Sequence, residues 1–181
     1  AAELDDAAAE LSGRVDLRRS GSGRVILRQA WSRAGSLLLL AICVLGIWQR
    51  LWFYLQARPL WLDPAMLALN ILDKGPRELF GPLDWNQGAP VGFLLLEKAA
   101  VAAFGDSELA LGAVPFVCAV AALLLFALVA WHAFHPAVAA VLVLPFAVSA
   151  TAIFYAAEVK QYSADLLAVA AKHPSFPILL E

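Results

Sequence analysis

The sequence predicts an all-α membrane protein, a multi-span helical bundle with interfacial helices in its first external loop. Three observations carry this expectation. Hydrophobic residues make up 62% of the 181 positions and the mean hydropathy is +0.74, whereas a soluble domain is about 45–50% apolar. The surplus is more than one core absorbs. It falls in long runs, and the polar residues gather between those runs. The formal net charge of −2 is too close to zero to suggest nucleic acid or a strongly charged partner. Cys43 and Cys118 lie inside apolar runs and read as small buried hydrophobes. The histidines are scattered, with no CxxC or HExxH spacing, so the sequence names no cofactor and leaves a divalent metal open.

Residues 1–34 are a polar tail carrying Arg14, Arg18, Arg19, Arg24, Arg28 and Arg33, with the turn-forming run RSGSGR. A signal peptide is the other reading of this charged-then-apolar order. No small-residue cleavage site follows, so a retained anchor is preferred. The first span covers about 35–55. Its apolar core is short, which places Arg50 near the far interface, snorkelling among Trp48, Trp52 and Tyr54. The second span covers about 109–134, with Pro115 near its start. The turn HAFHP then forces a direct return through a third span, about 137–155, and a fourth apolar stretch begins near 161. Residues 172–181, with two prolines, read as an aberrant or truncated end.

The arginine-rich tail places the N-terminus in the cytoplasm, making this a multi-pass protein of the plasma (inner) membrane. Three crossings then put residues 56–108 and the stretch from Ala156 on one external face. The first of these loops has structure of its own. Asp63 and Pro64 form a helix start, with Asp as N-cap and Pro as first helical residue, leading into a helix to Leu72. A Gly/Pro-rich turn spans 75–90. The run VGFLLLEKAAVAAFG is too short to span comfortably, carries Glu97 and Lys98, and reads as an interfacial helix.

Three groups of residues have chemistry to offer. Asp63 is either a helix cap or a carboxylate at the membrane edge, able to take a proton from a hydroxyl acceptor. The run DWNQGAP supplies Asp84, Trp85 and Gln87, which together offer the ring and the polar groups that hold sugars. An irregular turn with an aromatic interface anchor explains it equally. Glu158, Lys160, Gln161, Tyr162 and Asp165 form the last group. On a continuous helix Glu158, Tyr162 and Asp165 would share a face while Lys160 points away, and an ordinary interfacial rim would look similar. Asp165 precedes an apolar run, where ionisable groups are costly and often functional.

In order and spacing, four segments, LWLDPAMLALNIL, NQGAPVGFLLLEK, FGDSELAL and YAAEVKQYSADLL, resemble the C-type superfamily of membrane glycosyltransferases. The closer likeness is to the bacterial branch related to dolichyl-phosphate-mannose–protein mannosyltransferases. It covers roughly residues 60–168. The resemblance implies a GT-C-type fold, a polyprenyl-phosphate-linked sugar donor reached from the bilayer, and a glycan, lipid or protein acceptor on the outer face. It implies that Asp63 is the family's acidic residue of the first external loop. A second acid usually follows there, and Pro64 stands in its place. Glu158, Lys160, Gln161 and Tyr162 match the second external patch near the donor phosphate, with Lys160 as a compact point charge for that phosphate.

Relatives of that kind have many more spans, so the chain reads as an N-terminal fragment, and membership of the family is expected ahead of activity in the fragment alone. The expected function is transfer of a hexose or pentose from a lipid-phosphate donor, with lipid and the lipid-linked sugar as partners and no nucleic acid. The alternatives are a non-catalytic membrane protein, such as a transporter piece or assembly subunit, and an inactive remnant.

Overall fold

The computed structural model describes residues 31–172. The polar tail up to residue 30 and the end from 173 onward lie outside the described residues. Those described are all-helical, 77% helix with no strands. The helices are α1 (Trp31–Leu55), α2 (Leu62–Asp73), α3 (Val91–Phe104), α4 (Glu108–Ala133), α5 (Pro136–Ala147), α6 (Ala150–Phe154) and α7 (Tyr162–Ala171). Short 3-10 turns at Glu78–Phe80 and Asp84–Asn86 lie between α2 and α3.

Two helices, α1 and α4, are long and apolar enough to cross a membrane. Their 25 and 26 residues extend about 37 and 39 Å at ~1.5 Å per residue, beyond the ~30 Å of a hydrocarbon core. Local chemistry sets their limits. Ser107 caps α4 by accepting from the Ala110 amide at 3.2 Å, and Gly105, at φ 91°, closes α3 in a backbone region open to glycine. Pro115 lies buried inside α4, as expected. His135 and Pro136 begin α5, the pattern of a cap followed by an N1 proline.

The expected third span is not one helix. α5 stops at Ala147, and after Val148 and Ser149 the short α6 begins, capped by the Ser149 hydroxyl. Twelve residues of α5 reach only about 18 Å. Pro145 removes an amide from the last turn of α5, and a side chain from another helix completes the break. Arg50 is fully buried, and its guanidinium donates to the carbonyls of Ala147 at 3.0 Å, Phe146 at 3.1 Å and Gly46 at 2.9 Å. It therefore does not snorkel to an interface. The ending helix leaves carbonyls without amide partners and carries a partial negative charge, and a cation satisfies both. The fourth apolar stretch, α7, has ten residues, about 15 Å.

Two clusters hold the fold together. In one, Leu39, Ile42 and Cys43 of α1 meet Leu123, Ala127 and Ala130 of α4 and Ala139, Ala140, Val143 and Ala147 of α5. The α5 face is mostly alanine, so the backbones approach closely. A Cβ on Gly35 would stand 2.6 Å from the Ala137 amide nitrogen, and one on Gly46 would stand 3.1 Å from the Ala147 Cβ. The start of α5 therefore adjoins the start of α1 while its end lies against the middle of α1, and the two run parallel. In the second cluster, Leu67, Ala68 and Ile71 of α2 pack with Leu79, Phe93, Leu94, Leu111 and Val159. Tyr54 donates from its hydroxyl to the Leu109 carbonyl at 2.7 Å, tying the end of α1 to the start of α4. The loop 56–107 and the segment 155–161 consequently gather at one end of the long helices, and the α4–α5 turn lies at the other.

Candidate functional site

At that loop-bearing end three side chains close a ring. Lys160 Nζ lies 2.8 Å from Asp63 Oδ2, Gln87 Nε2 donates to Asp63 Oδ1 at 2.9 Å, and Lys160 Nζ donates to Gln87 Oε1 at 2.9 Å. Each comes from a different polar segment, so packing rather than chain proximity assembles the group.

Each partner is placed by local structure. Helix α2 starts at Leu62 with Trp61 in the capping position and no side-chain cap. Asp63 is thus not the N-cap expected. It sits in the first turn, where the helix dipole favours an anion, and its oxygens are free to reach Lys160 and Gln87. Residues 155–161 are turns and bends, not helix. The Lys160 amide donates to the Glu158 carbonyl at 2.7 Å, a tight three-residue turn, and the Ser163 hydroxyl donates to the Tyr155 carbonyl at 2.8 Å. Glu158, Tyr162 and Asp165 therefore do not lie along one helix. Lys160, expected to point away, is the residue that enters the site.

The Asp63 carboxyl is held below the usual carboxylate range, first by the hydrogen bond from Lys160 and then by that from Gln87. The two charged partners differ in exposure, with the Lys160 side chain 10% exposed and that of Asp63 65%. Lys160 comes up from the protein and Asp63 covers it on the solvent side.

The other sequence-picked residues take different places. Asp84 turns from the ring to Lys74, at 3.0 Å. Its backbone is held by Asn70, which accepts from the Asp84 amide at 2.8 Å and donates to the Asp84 carbonyl at 3.3 Å. Asp84 is thus a brace for the loop. Trp85 follows it, half exposed, and both it and Asn86 have left-handed backbones, φ 55° and 54°. Glu158 faces Arg58, Tyr54 and Glu108 in a small crevice, and burial pushes its carboxyl up, with Lys160 opposing. Gln161 has a buried side-chain oxygen without a partner. The Tyr162 ring packs edge-on against Tyr155 at 4.6 Å, and Asp165 is exposed. Among the described residues no three His, Cys, Asp or Glu side chains converge to hold a metal.

Sequence reasoning missed two contributors. Asn70 braces the 84–87 loop, and its signal is a lone amide at a buried position of an apolar helix. Glu97 is the other. It is fully buried on α3 with neither carboxyl oxygen bonded, while its neighbour Lys98 donates to the carbonyls of Ile71 and Leu72 at the end of α2. Burial pushes Glu97 up to about 9 from an ordinary 4.5. The folded chain keeps this proton where the unfolded chain has lost it. Its contribution to stability is therefore complete below about 4.5 and declines as the pH rises toward 9. The melting temperature is expected to fall over that interval, and Glu97→Gln is expected to flatten the slope. Equal slopes in the two proteins would assign the loss to another group.

Comparison with known proteins finds no matching family model, no matching curated protein and no matching solved structure.

Proposed function

We propose that the chain belongs to a membrane glycosyltransferase of the C-type superfamily, moving a sugar from a polyprenyl-phosphate donor to an acceptor outside the cytoplasm. The observation that supports this reading is the ring of Asp63, Gln87 and Lys160. Three of the four segments that carry the family resemblance meet there in space, and each contributes the residue type that such chemistry uses.

In this reading α1 and α4 cross the bilayer, α5 with α6 forms a broken third crossing, and the loops carrying Asp63 and Gln87 share the external face with Lys160. Asp63 accepts the proton of the acceptor hydroxyl. The acceptor oxygen attacks the anomeric carbon, the bond from that carbon to the phosphate oxygen breaks, and polyprenyl phosphate leaves with the bonding electrons. Attack opposite the leaving group inverts the anomeric centre. A lipid phosphate is already a competent leaving group, so the protein's task is to orient the acceptor and activate it. Lys160 offers a positive charge to the phosphate, and Trp85, two residues before Gln87, offers a half-exposed ring for a sugar.

Sealed vesicles bearing the full-length parent of this chain are expected to pass label from a polyprenyl-phosphate sugar to an external acceptor, and failure with both hexose and pentose donors would remove the reading. Topology is tested separately. In a background without Cys43 and Cys118, a cysteine at Asn86 is expected to react with an impermeant reagent added to intact cells. One at His135 is expected to react only after permeabilisation. Labelling of both from one side would break the proposed crossing of α4.

A polar route through the membrane would be the mark of a transporter. The side chains of this ring instead lie at the loop-bearing end, which favours chemistry at the surface.

A further inference from the structure

We infer that the Asp63–Lys160 pair is a resting arrangement opened by a phosphate-bearing ligand, which takes Lys160 as its partner and leaves Asp63 held by Gln87. The inference rests on the reading of the site as a lipid-phosphate glycosyltransferase centre and adds an order of events to it.

Three features of the ring point to exchange. The first is exposure. Asp63 covers Lys160 on the solvent side, 65% exposed against 10%, so a ligand reaching the ammonium meets the carboxylate first. The second is energetic. An ion pair with one exposed member contributes only about 0–1 kcal/mol, and the Gln87 side-chain carbonyl at 2.9 Å still accepts from the ammonium when Asp63 gives it up. Lys160 can therefore change anions cheaply, and a phosphate replaces the carboxylate with an acceptor of higher charge. The third is Gln87, which is uncharged and bonds both members, to Asp63 at 2.9 Å and to Lys160 at 2.9 Å. When the ammonium moves to phosphate, the Gln87 amide remains on Asp63 Oδ1 and keeps the carboxylate in place.

The consequence is an ordered site. Before the phosphate arrives, Lys160 quenches Asp63 as a base. Once the phosphate has claimed Lys160, the larger of the two hydrogen-bond influences on the carboxyl is gone and its affinity for a proton rises. Activation of the acceptor is thereby coupled to presence of the donor. Gln87 acts as a positioning residue, working through Asp63.

The test is equilibrium binding of a fluorescent, sugar-free polyprenyl phosphate to the full chain in nanodiscs. Removing the competing carboxylate in Asp63→Asn is expected to tighten binding by about two- to fivefold, the equivalent of one exposed ion pair. Asp63→Glu keeps the competitor and is expected to bind as the wild type does. Lys160→Met is expected to weaken binding by at least about tenfold, the loss of one charged hydrogen bond. Unchanged or weaker binding in Asp63→Asn, with melting temperature preserved and Lys160→Met impaired, would overturn the exchange while leaving Lys160 as the phosphate partner. Wild-type and Lys160→Met proteins that bind alike would instead bring down the underlying reading of Lys160. Repeating the series with inorganic phosphate separates the sources. A response confined to the lipid assigns the exchange to a membrane-borne phosphate, and a response to both assigns it to the phosphate group alone.

Discussion

Asp63→Asn is expected to lower sugar transfer by about a hundredfold or more, the lower part of the range associated with removing a general base. The amide is nearly the shape of the carboxylate and still accepts from Gln87, so expression and folding should be retained. What it loses is the ability to take a proton. The site's electrostatics add a second expectation. Because Lys160 and Gln87 hold the Asp63 carboxyl below its ordinary range, it stays ionised well to the acid side of neutrality. The acid limb of kcat/KM for the donor, which reports the ligand-free protein, should therefore lie lower than for an unpaired aspartate. Initial rates with a labelled donor across pH measure both effects. Full activity in Asp63→Asn would exclude the carboxylate as base.

The largest effect on stability is expected from Arg50→Leu. The substitution fits the volume of an apolar interior, and on composition alone it looks favourable for a helix of this kind. It removes three hydrogen bonds, however, and strands the carbonyls of Phe146 and Ala147 at the end of α5, for a cost of about 3 kcal/mol. Arg50→Lys should recover only part of this, since an ammonium cannot present the planar fork that reaches both carbonyls. Reversible unfolding in mixed micelles checks the order wild type, Lys, Leu. A Leu variant as stable as the wild type would mean that α5 ends without help from α1.

Much of this architecture was legible in the sequence, for a clear physical reason. α1 and α4 are long uninterrupted apolar runs, and such runs have few alternatives to a helix. The gathering of polar loops at one end was expected from counting crossings, and Asp63 and Lys160 do meet at one end of the long helices. The α5–α6 break was not legible, because Pro145 within an apolar run is compatible with a continuous kinked span. The break depends on Arg50, ninety-odd residues earlier. Arg50 itself was misplaced because an arginine among tryptophans near a helix end carries the local signature of an interface. Lys160 was placed in the right group but on the wrong side, since AAEVK favours helix locally and only tertiary contacts hold it as a turn. Glu97 looked like an interface marker. Nothing local to the sequence says that a carboxyl will be buried with its proton.

The loop at Trp85 and Asn86 has a bearing on how such a site changes over generations. A left-handed backbone costs an L-residue roughly 1–2 kcal/mol, asparagine bears it better than most, and a bulky indole bears it poorly. Trp85 is half exposed and contributes nothing to either buried cluster. Selection for folding alone would drift this position toward glycine, which occupies the same backbone freely. A tryptophan held here makes the loop a point where heritable stability and outward contact pull in opposite directions.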